Sequence, residues 1–233
     1  MNAARGWVNV WGVTETMNSA PHPSAAPRRA VVTGASAGIG RATALELARR
    51  GWHVYAVGRR SERLDELAAQ TADEQAPGAV VPAPLDVTDA AAVEALAGRV
   101  AAEGGVDALV NIAGGARGTE HVAAGDTENW EWMYRANVLG TLTMCRAFLP
   151  MLRAHGRGSV LNLTSTAAIV AYEGGAGYNA AKMGQHGLTA ALRLEEAEHD
   201  VRVIEVLPGM VHTEEFSLRP VSYTHLRAHE TEA

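Results

Sequence analysis

The stretch Arg29-Ala30-Val31-Val32-Thr33-Gly34-Ala35-Ser36-Ala37-Gly38-Ile39-Gly40 decides the fold. Its first five residues read as a short buried strand. The next seven form a glycine loop. Ile39, Ala42, Leu45 and Ala48 then recur at helical spacing as far as Arg50. The glycines permit a tight turn and close approach of backbone to a pyrophosphate. The helix start behind them offers free N–H groups and the positive end of a dipole. Gly34, Ser36, Gly38, Ile39 and Gly40 are therefore candidate cofactor contacts. A glycine loop alone is a weak signal; a strand before it and a helix after it strengthen it. The spacing is Gly-x-x-x-Gly-x-Gly rather than Gly-x-Gly-x-x-Gly. It lacks the Gly-Lys-Ser/Thr ending of a P-loop, which disfavours a kinase or ATPase.

Outward from this loop, strand and helix patterns alternate. Strands are predicted at 29–33, 53–57, 79–85, 106–111, 157–164 and 201–207. Helices are predicted at 39–50, 61–74, 88–103, 127–154 and 176–199. Continuous apolar strands such as Val201 to Leu207, separated by helices, indicate a parallel sheet covered on both faces. The expected fold class is α/β, a doubly wound parallel sheet of the Rossmann type. Ligands of such sheets bind at the carboxyl ends of the strands.

The second predicted strand ends Val57-Gly58-Arg59-Arg60-Ser61. A carboxylate there would hold the ribose 2′-OH of NAD. Arg59 and Arg60 stand there instead and suit a 2′-phosphate, so NADP is expected over NAD. Read blandly, the pair is a solvated strand end. Asp86 follows the third strand; it can accept from an adenine amino group or cap the helix from Thr88 onward. Asn111-Ile112-Ala113-Gly114 closes the fourth strand, where backbone can approach an adenine ribose.

Lys182 is the single lysine of the chain, although Lys and Arg together number 20. So strong a bias toward arginine marks a site where only a compact ammonium serves. Tyr178 stands four residues before it, on the same face of a helix, and a phenol beside an ammonium is a proton donor and acceptor. Taken alone, the two equally make a chance surface pair; the glycine loop favours chemistry. Ser165 ends the fifth strand, and Asn137 interrupts an apolar run in the long fourth helix. Asn137 there is either a buried hydrogen-bonding site or a helix kink.

These pieces together resemble the short-chain dehydrogenase/reductase family. The resemblance rests on Thr33–Gly40, Asp86-Val87, Asn111-x-Ala113-Gly114, Asn137, Ser165, Tyr178-x-x-x-Lys182 and Pro208-Gly209, in order over about residues 28–216. Gly58-Arg59-Arg60-Ser61-Glu62-Arg63-Leu64 looks like the NADP-using branch, which includes dehydrogenases of small 3-hydroxy acids. The resemblance implies an NADP-dependent alcohol/ketone oxidoreductase. Tyr178 would be the general acid/base, its pKa lowered from about 10 by Lys182 and the oxidised nicotinamide. Lys182 would also hold the nicotinamide ribose. Ser165 would bond the substrate oxygen, and Asn137 would hold a water relaying protons to Lys182. Asp86 and Val87 would border the adenine. Thr213, in Pro208-Gly209-Met210-Val211-His212-Thr213, would contact the carboxamide or pyrophosphate, with Pro208, Gly209 and Val211 beside the cofactor. Ile112 replaces a second asparagine common in the family, and its backbone can still serve; His212 is given no role.

Composition sets bounds. At 47% hydrophobic, 20% charged and net charge −6, the chain can bury one good core. Scattered arginines make no basic stripe, which excludes nucleic acid as a main partner. No apolar run reaches the roughly 18–20 residues of a membrane span. The single cysteine, Cys145, reads as a packed thiol rather than a nucleophile, and nothing argues for secretion, so a cytoplasmic location is expected. The partner is a small alcohol or carbonyl compound, and a homo-oligomer is the family expectation for the complete protein. No metal site is expected: His53, His121, His155, His186 and His199 lack ligand spacing. Trp130 and Trp132 read as packing at the entry of the fourth helix.

Three segments are expected: a disordered extension over 1–27, an incomplete Rossmann-type domain over 28–220 and a non-native tail over 221–233. Met17 is an alternative start. Val221-Ser222-Tyr223-Thr224-His225-Leu226-Arg227-Ala228-His229-Glu230-Thr231 resembles a translated sequencing adapter from transposon-based library preparation. The natural protein is then expected to continue past Pro220 into a substrate-covering helix pair and a last strand, whose loss leaves a sheet edge exposed. Two other function classes compete: a catalytically inactive nucleotide-binding protein on the same fold, and an inactive fragment. Relatives of the first kind usually lose the Tyr or the Lys, and both stand here.

Overall fold

Apolar runs such as Ala30–Val32 and Val54–Val57 leave no polar face for water, so each strand needs cover on both sides. The computed structural model describes residues 27–213 and provides that cover. Six strands, β1 (Arg29–Thr33), β2 (His53–Gly58), β3 (Ala79–Pro84), β4 (Ala108–Asn111), β5 (Ser159–Leu163) and β6 (Arg202–Val206), form one sheet in the order β3-β2-β1-β4-β5-β6. Every neighbouring pair is parallel. The sequence reversal between β1 and β4 is the switch point at which such sheets open a binding crevice.

Helices α1 (Gly38–Arg49) and α2 (Ser61–Asp73) cover one face, where Leu45, Leu64 and Leu67 pack on Val32 and Val54. The other face carries α3 (Ala90–Ala102), α5 (Gly140–Ala154) and α6 (Ala176–Glu195), with Val93, Phe148 and Leu192 against Val31, Leu109 and Val160. Each large side chain so buried contributes roughly 1.5–3 kcal/mol. Among the described residues β6 pairs only with β5, and Ile204 and Val206 on it remain partly open, as an exposed edge requires.

Three local readings change. The predicted helix over 127–154 is α4 (Thr127–Tyr134), one π turn (Arg135–Leu139) and α5. The Gly140 N–H reaches back five residues to the Arg135 carbonyl, so the helix is widened rather than broken. The cap of α3 is Asp89, whose carboxylate accepts from Ala92 N at 3.1 Å, and not Asp86. The last predicted helix stops at Glu195 and is followed by a separate short turn over Ala197–His199. The readings on the N-terminal extension before residue 27 and on the tail after 220 lie outside the described residues.

Candidate active site

The parallel register aligns Thr33 with Val57, Asn111 with Asn162 and Leu163 with Val206, so the strands end together along one edge of the sheet. A cleft of about 630 Å3 opens there. Gly34, Ser36, Gly38, Ile39 and Gly40 line its first wall. Gly40 is a requirement of packing: a Cβ there would overlap the Gly34 carbonyl, so only glycine lets α1 start this close to β1. The start of α1 has no side-chain cap and no acidic residue in its first turn. Its first turn and positive dipole end therefore meet the cleft without a carboxylate of their own.

Arg59, Arg60 and Asp86 line the next stretch. Arg60 donates from Nε and Nη2 to Ser36 Oγ at 3.3 and 3.1 Å, tying the end of β2 to the glycine loop. Arg59 is largely exposed and lies 3.8 Å from the Asp86 carboxylate. Asp86 Oδ1 also accepts from the backbone N–H and hydroxyl of Thr88, at 2.9 and 2.8 Å, which fixes the turn after β3. An exposed ion pair at this distance adds little to stability, so the Arg59 guanidinium can turn to an anion with little structural loss.

The cleft floor is backbone. Thr33 Oγ1 accepts from Ile112 N at 2.9 Å and Ala113 N at 3.0 Å, holding the end of β4 against β1. Gly114 has φ +154° and faces Asn137, whose Oδ1 a Cβ would overlap. Asn137 is fully buried, and its Nδ2 donates to Gly115 O at 2.8 Å and Met133 O at 2.7 Å. Its Oδ1 accepts from Gly115 N at 3.1 Å. Of the two alternatives read from the sequence, the buried hydrogen-bonding site is the one seen; Asn137 lies in the π turn, where the helix widens.

Tyr178 lines the far end of the cleft, and the Lys182 ammonium lies 5.8 Å from the centre of its ring. Lys182 is 4% exposed. It donates to Leu163 O at 3.1 Å and to Gln185 Oε1 at 2.7 Å. Burial pushes its pKa down to about 7. Ser165 follows β5, and its Oγ accepts from Ala167 N at 3.1 Å. Asn179, beside Tyr178, donates to Ala167 O at 2.8 Å and Val170 O at 3.0 Å, which pins the turn after Ser165 to α6. Thr166 N donates to Pro208 O at 3.0 Å, which ties the same turn to the strand end after β6.

Of the residues named from sequence, Val87, Ala113, Gly114 and Thr213 also line the cleft. Asn111, Asn137, Ser165, Lys182, Pro208, Gly209 and Val211 do not border it directly. Asn111 turns inward: its Nδ2 donates to Asn162 Oδ1 at 2.9 Å and lies 3.6 Å from the sulfur of Cys145. Burial raises the Cys145 thiol to about 12, which makes it an inert packed group. Trp132 departs from the packing reading. It lies within α4 and lines the cleft, with the Arg117 guanidinium 3.9 Å from its ring centre. Arg135 and Ala136 of the π turn, Gln185 and Asn179 were also not singled out; their signal was adjacency to Asn137, Lys182 and Tyr178. Among the described residues no cluster of His, Cys, Asp and Glu is placed to hold a metal, and no helix is long and apolar enough to cross a membrane.

Comparison with known proteins gives this arrangement its relatives. The family model for short chain dehydrogenase matches residues 28–219. An uncharacterized oxidoreductase of Mycobacterium tuberculosis (strain H37Rv) is 52% identical over 191 residues, covering 82% of this chain and 72% of that protein. The NADP-dependent 3-hydroxy acid dehydrogenase of Escherichia coli (strain K12) is 37% identical over 188 residues, covering 80% of this chain and 74% of its own length. Among solved structures, L-sorbose reductase from Gluconobacter frateurii, complexed with NADPH and L-sorbose, superimposes with a TM-score of 0.75 at 30% identity, over 82% of this chain and 72% of that one. The chain belongs to the short-chain dehydrogenase/reductase family and is an oxidoreductase by that membership.

Proposed function

We propose that this oxidoreductase is NADP-dependent and interconverts a small alcohol and its ketone. The observation that carries this reading is that one cleft joins Arg59 and Arg60 at one end to Tyr178, backed by buried Lys182, at the other. The uncapped start of α1, the approach allowed by Gly40 and the two arginines fit a dinucleotide diphosphate and a 2′-phosphate. Gly34, Ser36, Gly38 and Ile39 would hold the diphosphate, and Asp86 and Val87 the adenine. The backbone of Asn111, Ala113 and Gly114 would receive the adenine ribose, Lys182 the other ribose. Thr213, with Pro208, Gly209 and Val211, would close the nicotinamide end. The nicotinamide supplies or accepts the hydride when bound.

The chain's own groups handle the proton. Tyr178 gives its phenolic proton to the carbonyl oxygen in reduction and takes it back in oxidation. A charged Lys182 beside the ring favours the phenolate that oxidation requires. Ser165 holds the substrate oxygen with its hydroxyl. Asn137 keeps the loop at Gly114 and Gly115 in place, and its carbonyl is the far end of the hydrogen-bonded chain to Lys182. The 37% identical relative makes small 3-hydroxy acids the first substrates to try. A cytoplasmic homo-oligomer is the setting this reading gives. The test is NADPH oxidation against a panel of 3-keto acids, keto-sugars and simple ketones. Turnover with NADPH that vanishes in Tyr178→Phe supports the reading; turnover that survives the substitution contradicts it.

A further inference from the structure

Gln185 has no role in the chemistry above, yet it is completely buried one turn beyond Lys182 on α6. Both ends of its amide are engaged. Oε1 accepts from Lys182 Nζ at 2.7 Å, and Nε2 donates to Thr141 Oγ1 at 3.0 Å. Thr141, also buried, spends its own hydroxyl proton on the Asn137 carbonyl at 2.8 Å. That fixes the order of donors. A hydroxyl that already donates to a carbonyl can only accept from Gln185, so the amide nitrogen must face Thr141 and the amide oxygen must face Lys182. A second hydroxyl, Thr189 Oγ1, donates to the Gln185 backbone carbonyl at 2.8 Å.

We infer that Gln185 is a positioning residue for Lys182, holding its ammonium with an amide oxygen whose direction is set by Thr141 and the Asn137 carbonyl of the π turn. The inference rests on the reading of Lys182 as the partner of Tyr178. Lys182 has three N–H donors; Leu163 O and Gln185 Oε1 take two, which leaves one. A hydrogen bond to the ammonium favours its charged form, against the burial that opposes it. The ionisable groups on this part of α6 and on the elements packed against it are Tyr178 and His186 on α6, Glu128, Glu131 and Tyr134 on α4, Arg135 in the π turn, and Arg202 and Glu205 on β6. Glu205 is engaged by His186 at 3.0 Å. The chain Lys182–Gln185–Thr141 ends on the main-chain carbonyl of Asn137 and so gives a hydrogen-bonded route between two residues for which the family resemblance implies a water.

The single lysine makes the test direct: label lysine with 13C at Cε and one side-chain signal reports Lys182 alone. In Gln185→Met, which keeps the bulk and loses the acceptor, the titration midpoint should fall by about half to one pH unit. Thr141→Val should shift it the same way by less, and Thr141→Ser should restore the wild-type midpoint. With the same variants, the rise of kcat/KM for alcohol oxidation should move to higher pH, because the phenolate loses part of its cation. An unchanged Lys182 midpoint in folded Gln185→Met overturns the inference and leaves Gln185 as filler. If Gln185→Met does not fold, Thr141→Val decides: an unmoved midpoint there overturns it equally. A shifted midpoint in a protein that transfers no hydride supports the positioning and contradicts the proposed activity, so the two can fail separately.

Discussion

The arginine end and the tyrosine end of the cleft are built on opposite principles. The arginine end comes mainly from one continuous run, residues 29–60, joined by Asp86 and Val87 after β3, and works with backbone and open charge: Arg59 keeps 64% of its side chain exposed. The tyrosine end is assembled from β5, the π turn, α5 and α6, and its key polar groups are buried: Asn137 and Gln185 at 0% and Lys182 at 4%. The difference follows from the work proposed for each. A phosphate is recognised by charge that tolerates water, whereas a phenol's proton affinity is tuned only where a cation is fixed and partly dehydrated. Exposed charges can be exchanged with small structural loss; a buried network fails as a unit.

Substitutions at the two ends should therefore behave differently. The largest effect belongs to Tyr178→Phe, which should cut turnover by about 1000-fold or more while NADPH affinity, read by fluorescence titration, stays within about twofold. Retained turnover would break the contrast at its centre. Next is Lys182→Met measured as stability without cofactor. The folded pKa of about 7 lies below the unfolded value of 10.5, so the native state binds fewer protons between those pH values. Wild-type stability then rises from pH 7 toward 10.5, the burial penalty being fully present below 7 and gone above 10.5. Lys182→Met should be more stable than wild type at neutral pH by on the order of a few kcal/mol, with the gap closing as pH rises. Urea unfolding across that range measures it, and a pH-independent gap would contradict it. Smaller again is Gly40→Ala: the overlap with the Gly34 carbonyl should destabilise by about 1–3 kcal/mol and weaken NADPH binding. An unchanged unfolding midpoint would show that the loop can give way.

The same contrast explains what could be read without a structure. The arginine end is local: strand, Gly-x-x-x-Gly-x-Gly loop, helix and arginine doublet are all consecutive or one element apart, so pattern and chemistry coincide. Lys182 was visible for a compositional reason, and Tyr178 through helical spacing. Asn137 showed as a polar residue in an apolar run, but periodicity carries no sign of a π turn, because the extra residue changes one hydrogen bond and leaves the apolar face nearly intact. Gln185 and Thr141 were illegible for a different reason: they are 44 positions apart, and each is unremarkable until α5 and α6 meet. Trp132 was misplaced because its apolar ring reads as packing, and only the position of Arg117 and the cleft shows what its face meets.

The most direct test is a binding titration of NADPH and NADH against the wild-type chain and against Arg59→Ala combined with Arg60→Ala. Expected is NADPH tighter by about tenfold or more in the wild type, an advantage that shrinks at high salt and falls to within about twofold in the double variant. Equal weakening of both cofactors in the double variant, or a wild type that prefers NADH, would contradict the assignment of the arginine end to a 2′-phosphate.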